Sequence, residues 1–179
     1  MRIVGGRLKS RVLLPFDGEK IRPTSDKVRE SFFNIIQTRV VGCSFLDLFC
    51  GTGAMGIEAL SRGANKVVLN DSSNQSITLA KRNAEKLGVK EEIEFSLSDS
   101  IEYLRRTKHL FDVIFIDPPY KCGIYEDIVP LCCSVLKENG IVVTESEQPL
   151  LENELGDLVK VDQRKYGRDY LTFYKIGEK

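Results

Sequence analysis

The chain has few of the residues with which proteins bind metal ions. Among its 179 residues there is one histidine, His109, no tryptophan, and five cysteines, none of them in a C-x-x-C pair. A structural zinc site usually takes four cysteine and histidine ligands at short spacings, so we expect no metal site. The odd number of thiols indicates reduced cysteines rather than a disulfide framework. The cysteines are Cys43, Cys50, Cys122, Cys132 and Cys133.

Long apolar runs are also lacking. The sequence has no stretch of 18 apolar residues and no signal peptide, so we expect a cytoplasmic protein without a membrane partner. Hydrophobic residues make up 42% and charged residues 29% of the chain, as in ordinary globular proteins. This length predicts one domain with a small appendage.

The chain has no overall excess of one charge, but its charges are unevenly placed. Residues 1–30 have a net charge of +4 and residues 160–179 of +3, which leaves −7 for the middle. Basic ends predict an anionic partner that meets them, whereas the alternative is that terminal charges only solvate the chain. The candidate phosphate contacts to RNA are Arg2, Arg7, Lys9, Arg11, Arg22 and Arg168.

The most informative stretch is Phe45–Gly63, FLDLFCGTGAMGIEALSRG. Its apolar start is typical of a strand buried on both faces of a parallel sheet. The chain then turns at Gly51 and Gly53, and from Ala54 the apolar spacing becomes helical. Strand, glycine turn and helix begin a nucleotide-binding α/β unit, and the glycines, with Gly56, match G-x-G-x-x-G.

Asp47 indicates which nucleotide this unit binds. It precedes the first glycine by four residues, near the ligand end of the strand. A carboxylate is poorly placed beside a pyrophosphate but well placed beside a cation. S-adenosylmethionine carries an ammonium and a sulfonium group and no phosphate, so Asp47 favours this cofactor over a dinucleotide. The alternative is that Asp47 only caps the turn.

Acidic residues also follow the next two predicted strands. Asp71, after strand 66–69, is 20 residues past Gly51, where such folds place the acid that binds the ribose hydroxyls; an exposed helix cap is the alternative. After strand 92–97, Asp99 either caps a helix or accepts from an adenine amine, and the sequence leaves both open. The candidate cofactor-binding residues are Asp47, Phe49, Gly51, Gly53, Asn70, Asp71, Asp99 and Ser100.

A fourth predicted strand, 112–116, runs into Asp117-Pro118-Pro119-Tyr120, which we predict as the catalytic residues. The two prolines make this loop rigid at the carboxyl end of a strand, where ligands bind in such sheets. Asp117 and the carbonyl of Pro118 can accept the two N–H bonds of an exocyclic amine and direct its lone pair at a methyl group. Tyr120 offers a face on which an extruded base can stack. The alternative is a rigid turn without catalysis.

Strands and helices alternate from residue 44 onward, which indicates a mostly parallel, doubly wound α/β sheet. A helix capped by Thr24 or Ser25 is predicted before it, and a small basic hairpin before that. Residues 158–161 and 171–174 can form a closing antiparallel pair. If the strand order reverses between strands one and four, the glycine loop and the DPPY loop are neighbours.

Four segments together resemble one family. RPTSDKVRESFFNII, DLFCGTGAMGIEALSRG, DPPY and YGRDYLTFYK are similar to segments of the small-subunit ribosomal RNA methyltransferase D (RsmD) family, and the resemblance covers nearly the whole chain. It implies a Rossmann-like class I methyltransferase sheet of seven strands, mostly parallel with an antiparallel C-terminal strand. It also implies a basic β-hairpin appendage at 1–20 and a methyltransferase domain at 21–179. Many relatives have the ribose-binding acid where this chain has Asn70, so the choice between Asn70 and Asp71 stays open.

The function that the resemblance implies is methyl transfer from S-adenosyl-L-methionine to the N2 amine of a guanine in small-subunit ribosomal RNA. The expected enzyme is a monomer that acts on an assembling small subunit. One alternative is a DPPY N-methyltransferase acting on DNA adenine N6, which the absence of a separate target-recognition domain disfavours. The other is an NAD-dependent oxidoreductase. That enzyme needs a second catalytic group, and His109 precedes a strand, away from the predicted ligand ends.

Overall fold

The computed structural model describes residues 1–16, 24–119 and 123–177, and within them eight strands form one sheet with helices on both faces. The strands are β1 (Ser44–Asp47), β2 (Lys66–Asp71), β3 (Ile93–Leu97), β4 (Phe111–Ile116), β5 (Leu136–Ser146), β6 (Glu154–Leu155), β7 (Leu158–Tyr166) and β8 (Asp169–Ile176). The helices are α1 (Asp26–Ile35), α2 (Gln37–Val40), α3 (Ala54–Ser61), α4 (Asn74–Lys86), α5 (Ser100–Arg106) and α6 (Ile124–Cys132).

The strand order is β3-β2-β1-β4-β5-β8-β7-β6, and the first five strands of the sheet are parallel. From β1 the chain moves outward through β2 and β3, then returns to place β4 on the other side of β1. This reversal is the switch point at which α/β sheets bind ligands. The glycine loop after β1 and the DPPY loop after β4 are therefore neighbours, and the predicted α/β class is confirmed.

The strand count implied by the family resemblance is wrong for the described residues, which form eight strands rather than seven. The additional strand is β6, whose two residues pair with the start of β7 through Leu155 and Leu158. The closing antiparallel pair is present but longer than predicted, because β7 and β8 pair along almost their whole length. Three antiparallel strands thus complete the sheet, with β8 hydrogen-bonded to β5.

The sheet separates two apolar layers because consecutive residues of a strand face opposite sides. Phe45 packs in the layer of α1, α3 and α4, whereas its neighbour Leu46 packs in the layer of α5 and α6. The aromatic rings of Phe32 and Phe33 from α1 lie against Phe45, with ring centroids 6.4 and 6.1 Å away. The leading helix is therefore part of the core, and Ser25 caps it by accepting from the Val28 N–H.

The predicted N-terminal hairpin is reduced to one antiparallel bridge, between Arg2 and Val12. The N–H groups of Ile3 and Leu13 donate across it to the carbonyls of Arg11 and Met1. The side chains of Ile3, Leu8 and Leu13 are buried in the core layer of α1 and α3. The division into an appendage at 1–20 and a domain at 21–179 stays a prediction. What the structure adds is that the described part of this segment contributes side chains to the main core.

The third glycine of the fingerprint fixes how closely α3 approaches β2. A Cβ at Gly56 would lie 2.2 Å from Leu69 Cδ2 and 2.9 Å from Val67 Cγ1. Both side chains are buried, so neither has free space to move into. The glycine is therefore required for helix–strand contact, independently of any ligand.

Gly56→Ala is expected to lower the free energy of unfolding by about 1–3 kcal/mol, since overpacking outweighs the better helix propensity of alanine. Urea unfolding measures this change. In a Leu69→Ala background the closer clash is gone and only the contact with Val67 Cγ1 at 2.9 Å remains, so the same substitution should cost clearly less. An equal loss in both backgrounds would show that the contact with Leu69 is not the cause.

Candidate active site

Four carboxylates lie at the carboxyl ends of four neighbouring strands. Asp47 ends β1, Asp71 ends β2, Asp117 follows β4, and Glu145 is the penultimate residue of β5. The strand order β2-β1-β4-β5 places all four along one edge of the sheet. Such a concentration of negative charge attracts a cationic ligand and opposes a pyrophosphate.

Asp47 is the most deeply placed of these carboxylates, with 1% of its surface exposed. Its pKa is raised to about 8, chiefly by burial and also by the charges of Asp71 and Glu145, while the backbone N–H groups of Gly56 and Phe49 lower it. Its Oδ2 atom has no hydrogen-bond partner within the described residues. A buried carboxylate oxygen without a partner is costly in the free protein, and a cationic group would satisfy it.

The glycine loop is held open beside this carboxylate. Gly51 and Gly53 have φ values of 50° and 81°, the left-handed region in which side chains are strained. The N–H of Gly51 donates to Asp71 Oδ2 at 3.0 Å, so the acid that ends β2 also fixes the loop after β1. A Cβ at Gly51 would meet no protein atom within 4 Å, so this side of the loop faces open space.

Asn70 and Asp71 have different roles. Asn70 is fully buried, and its amide donates to the carbonyls of Leu48 and Ser98, both at 3.1 Å, tying together the chain after β1 and after β3. Asp71 is half-buried and accepts from the N–H groups of Gly51 and Ser73. Asn70 thus organises the loops, and Asp71 presents a carboxylate at the edge.

Of the two alternatives for Asp99, the structure shows the cap. Its Oδ1 accepts from the N–H groups of Ile101 and Glu102 at 2.9 and 3.1 Å. Asp99 is thus the N-cap residue that precedes α5. A contact with adenine stays a prediction.

A cavity beside these residues extends from the carboxyl ends of β1, β2 and β3 to the DPPY loop. It is lined by Leu48, Phe49, Asn70, Ser72, Asp99, Ser100, Pro118, Pro119 and Ile124.

The DPPY loop meets the segment before α1. The Thr24 hydroxyl lies 2.8 Å from Glu145 Oε2 and 3.3 Å from Asp117 Oδ2. Pro118 is buried and Pro119 is exposed, while the predicted stacking residue Tyr120 lies outside the described residues, as does Arg22.

Sequence reasoning missed Thr24 and Glu145 as site residues. From the sequence, Thr24 is interpreted only as a possible helix cap, and Glu145 is not among the candidate site residues. The available signal was the one used for Asp47, an acid directly after an apolar strand.

The predicted RNA-contacting residues do not form one patch. Arg7 forms an ion pair with Glu92 at 2.6 Å. Because Glu92 directly precedes β3, this pair lies at the amino end of the parallel strands. Arg168 is exposed in the turn between β7 and β8, and β8 begins beside the end of β5, at the active-site edge. Arg2 lies 3.6 Å from Asp26. The exposed side chains of Lys9 and Arg11 form no ion pair within the described part of the chain, and RNA contact by these residues stays a prediction.

Two other properties concern the described residues alone. They contain no group of three or more histidine, cysteine, aspartate or glutamate side chains that could hold a metal ion. Within residues 1–16, 24–119 and 123–177, no helix combines the length and the apolar character that a membrane span requires.

Comparison with known proteins places this site in a family. The family model described as "Conserved hypothetical protein 95" matches residues 1–175. Ribosomal RNA small subunit methyltransferase D of Haemophilus influenzae is 33% identical over 167 residues, which cover 89% of this chain and 86% of that protein. The Escherichia coli K12 protein of the same name is 32% identical over 154 residues, covering 82% of this chain and 71% of that protein.

The fold comparison agrees. The solved structure of the Escherichia coli protein yhhF superimposes with a TM-score of 0.87 at 27% identity, covering 100% of this chain and 99% of that one. The chain therefore belongs to the ribosomal RNA small subunit methyltransferase D family.

Proposed function

We propose that the protein transfers a methyl group from S-adenosylmethionine to the N2 amine of a guanine in small-subunit ribosomal RNA, within an assembling subunit. The observation that carries the proposal is the acidic strand edge, where the unpartnered oxygen of Asp47 lies across the switch point from Asp117. The names of the two bacterial relatives supply the substrate class, since both are small-subunit ribosomal RNA methyltransferases.

The residues at the edge fit this cofactor. Asp47 would hold its positive charge, Asp71 its ribose hydroxyls, and the chain around Ser100 its adenine, with the glycine loop allowing close approach. When bound, the cofactor supplies a methyl group on a cationic sulfur, which is already a good leaving group. The NAD-dependent alternative is not supported, because four carboxylates line the edge where a pyrophosphate would lie.

The acceptor side must orient a poor nucleophile. The lone pair of an exocyclic amine is delocalised into the ring, so the amine reacts only when it is turned toward the methyl group. Asp117 and the Pro118 carbonyl would accept hydrogen bonds from its two N–H groups and hold the amine in that geometry. Methylation would leave a positive charge on the amine nitrogen, and Asp117 would stabilise this charge and accept the proton that the nitrogen must lose. Much of the rate would then come from positioning.

The direct test is transfer of a tritiated methyl group to naked ribosomal RNA, to small subunits and to DNA, followed by nucleoside analysis. The proposal expects label in N2-methylguanosine from the RNA or the subunits. Label in N6-methyladenine from DNA would instead establish the alternative DPPY activity.

Asp117→Asn is expected to lower the rate of methyl transfer about 100-fold or more while leaving S-adenosylhomocysteine affinity close to wild type. The reason is that Asp117 is assigned to the acceptor amine rather than to the cofactor. Single-turnover transfer and calorimetry measure the two properties separately. Asp127→Asn, an exposed acid on α6, is the control and should change neither; unchanged turnover in Asp117→Asn would remove DPPY from the mechanism.

Asp47→Asn is expected to stabilise the free protein and to weaken cofactor binding. Burial raises the pKa of Asp47 from 3.8 to about 8, so between these values the folded protein keeps a proton that the unfolded chain has lost. The free energy of unfolding of the wild type should therefore fall as pH rises through this window, and a neutral amide avoids the loss.

Urea unfolding from pH 5 to pH 8 measures the first effect. The free energies of unfolding of the wild type and of Asp47→Asn should diverge by up to about 1.4 kcal/mol per pH unit. Calorimetry with S-adenosylhomocysteine measures the second, for which a loss of about tenfold or more is expected. Parallel pH profiles together with intact affinity would favour the turn-cap interpretation of Asp47.

The proposed RNA contacts are tested by charge removal, because deleting residues 1–11 would also remove the buried Ile3 and Leu8. Lys9→Gln combined with Arg11→Gln should reduce the slope of log affinity against log salt by about 0.7–0.9 for each lost phosphate contact. Salt titration of RNA binding measures the slope.

The matched control removes two exposed basic side chains from the opposite face of the sheet, in the double variant Arg105→Gln with Lys108→Gln. Its slope should remain that of the wild type. If both double variants give the wild-type slope, the terminal charges only solvate the chain.

A further inference from the structure

We propose that Glu145 is a base-specificity residue that acts beside Asp117 on the Watson–Crick edge of the target guanine. Asp117 would accept from the N2 amine and Glu145 from the adjacent N1–H. This inference rests on the proposed function and adds to it a second side chain in contact with the base, which explains the choice of guanine over other amino-bearing bases.

The two carboxylates occupy equivalent positions on adjacent parallel strands. Ile116 of β4 pairs with Thr144 of β5, so Asp117 and Glu145 each follow by one residue and point to the same side. One hydroxyl contacts both of them, since Thr24 Oγ1 lies 3.3 Å from Asp117 Oδ2 and 2.8 Å from Glu145 Oε2. Because both carboxylates contact one hydroxyl oxygen, the two side chains are close enough for a single base to contact both.

Glu145 is held firmly in this position. Only 8% of its surface is exposed. The hydroxyl of Tyr125 from α6 donates a hydrogen bond to the Glu145 backbone carbonyl at 2.6 Å. The Thr24 hydroxyl has one proton to donate, and the shorter distance directs it toward Glu145. A carboxylate has two oxygens, and each can accept more than one hydrogen bond, so a contact with Thr24 does not exhaust the acceptor capacity of either side chain.

The arrangement discriminates because the amino-bearing bases differ next to the amine. Guanine presents two adjacent donors, N2–H and N1–H. Adenine places an acceptor, N1, beside its amine, and cytosine places N3 there. Two neighbouring carboxylates match two donors, whereas a carboxylate facing a ring lone pair leaves two acceptors opposed and unpaired. Sites built on such hydrogen bonds reject the mismatched analogue strongly.

The test uses 2-aminopurine, which keeps the exocyclic amine of guanine but has a lone pair instead of a hydrogen at N1. The target nucleotide, identified with the wild-type enzyme, is replaced by 2-aminopurine in the RNA, and kcat/KM is measured for both substrates. Glu145→Gln should lower kcat/KM for guanine about 10- to 100-fold, because a charge-assisted hydrogen bond is lost. It should lower kcat/KM for 2-aminopurine much less, since the glutamine amide can donate to N1.

Glu138→Gln is the matched control, an exposed acid on the same strand but at its amino-end half, and it should leave the guanine to 2-aminopurine ratio unchanged. Thr24→Val should reduce the ratio, whereas Thr24→Ser should retain it, because only the hydroxyl bridges the carboxylates. S-adenosylhomocysteine affinity confirms that each variant is folded.

The two ideas fail differently. A wild-type enzyme that methylates no guanine N2 overturns the proposed function and this inference together. This inference alone is overturned if the wild-type enzyme methylates guanine but Glu145→Gln lowers kcat/KM equally for the guanine and the 2-aminopurine substrates. That second result would make Glu145 a structural residue that supports Asp117.

Discussion

Glu58 is a carboxylate without exposed surface, and three segments of the chain depend on it. Its Oε2 accepts from the Val4 N–H at 2.8 Å and lies 3.6 Å from Arg29 Nε, while its Oε1 accepts from Arg62 Nε at 2.8 Å. Removing one partner of a buried ion pair typically costs about 3–5 kcal/mol. The N-terminal segment, α1 and α3 are thus held in one arrangement, and Arg29 in turn donates to the carbonyl of Thr24.

Glu58 and Asp47 are both buried acids, but they differ in their partners. Both are buried, but the oxygens of Glu58 have cationic and N–H partners from the chain itself, whereas Asp47 Oδ2 has none among the described residues. Burial without a partner raises the pKa of Asp47, and the free protein loses stability by keeping this group. Such a cost at a strand end supports the proposed role of Asp47 in binding the cofactor.

The glycine loop, Asp47 and the DPPY loop could be predicted because each is a local pattern at the end of an apolar strand. Thr24 and Glu145 could not be recognised as a pair, since their contact joins positions 121 residues apart, and no periodicity records it. The strand β6 was missed because two residues show no alternation. The pairing of the N-terminal segment was indicated by the sequence, but the burial of Ile3, Leu8 and Leu13 in the main core was not, because that packing joins distant parts of the chain.

Asn83, buried on α4, connects the basic N-terminal segment with the glycine loop. Its Oδ1 accepts from the Leu14 N–H at 2.7 Å, and its amide donates to the Thr52 carbonyl at 2.9 Å. Ten residues after Leu14, Thr24 contacts Asp117. Hydrogen bonds through Asn83 therefore tie the segment proposed to hold RNA phosphates to the glycine loop, and Thr24 contacts the DPPY loop. An RNA bound to it would be placed relative to the methyl group and the acceptor carboxylates by the fold itself, and methyl transfer to a poor nucleophile depends on such positioning.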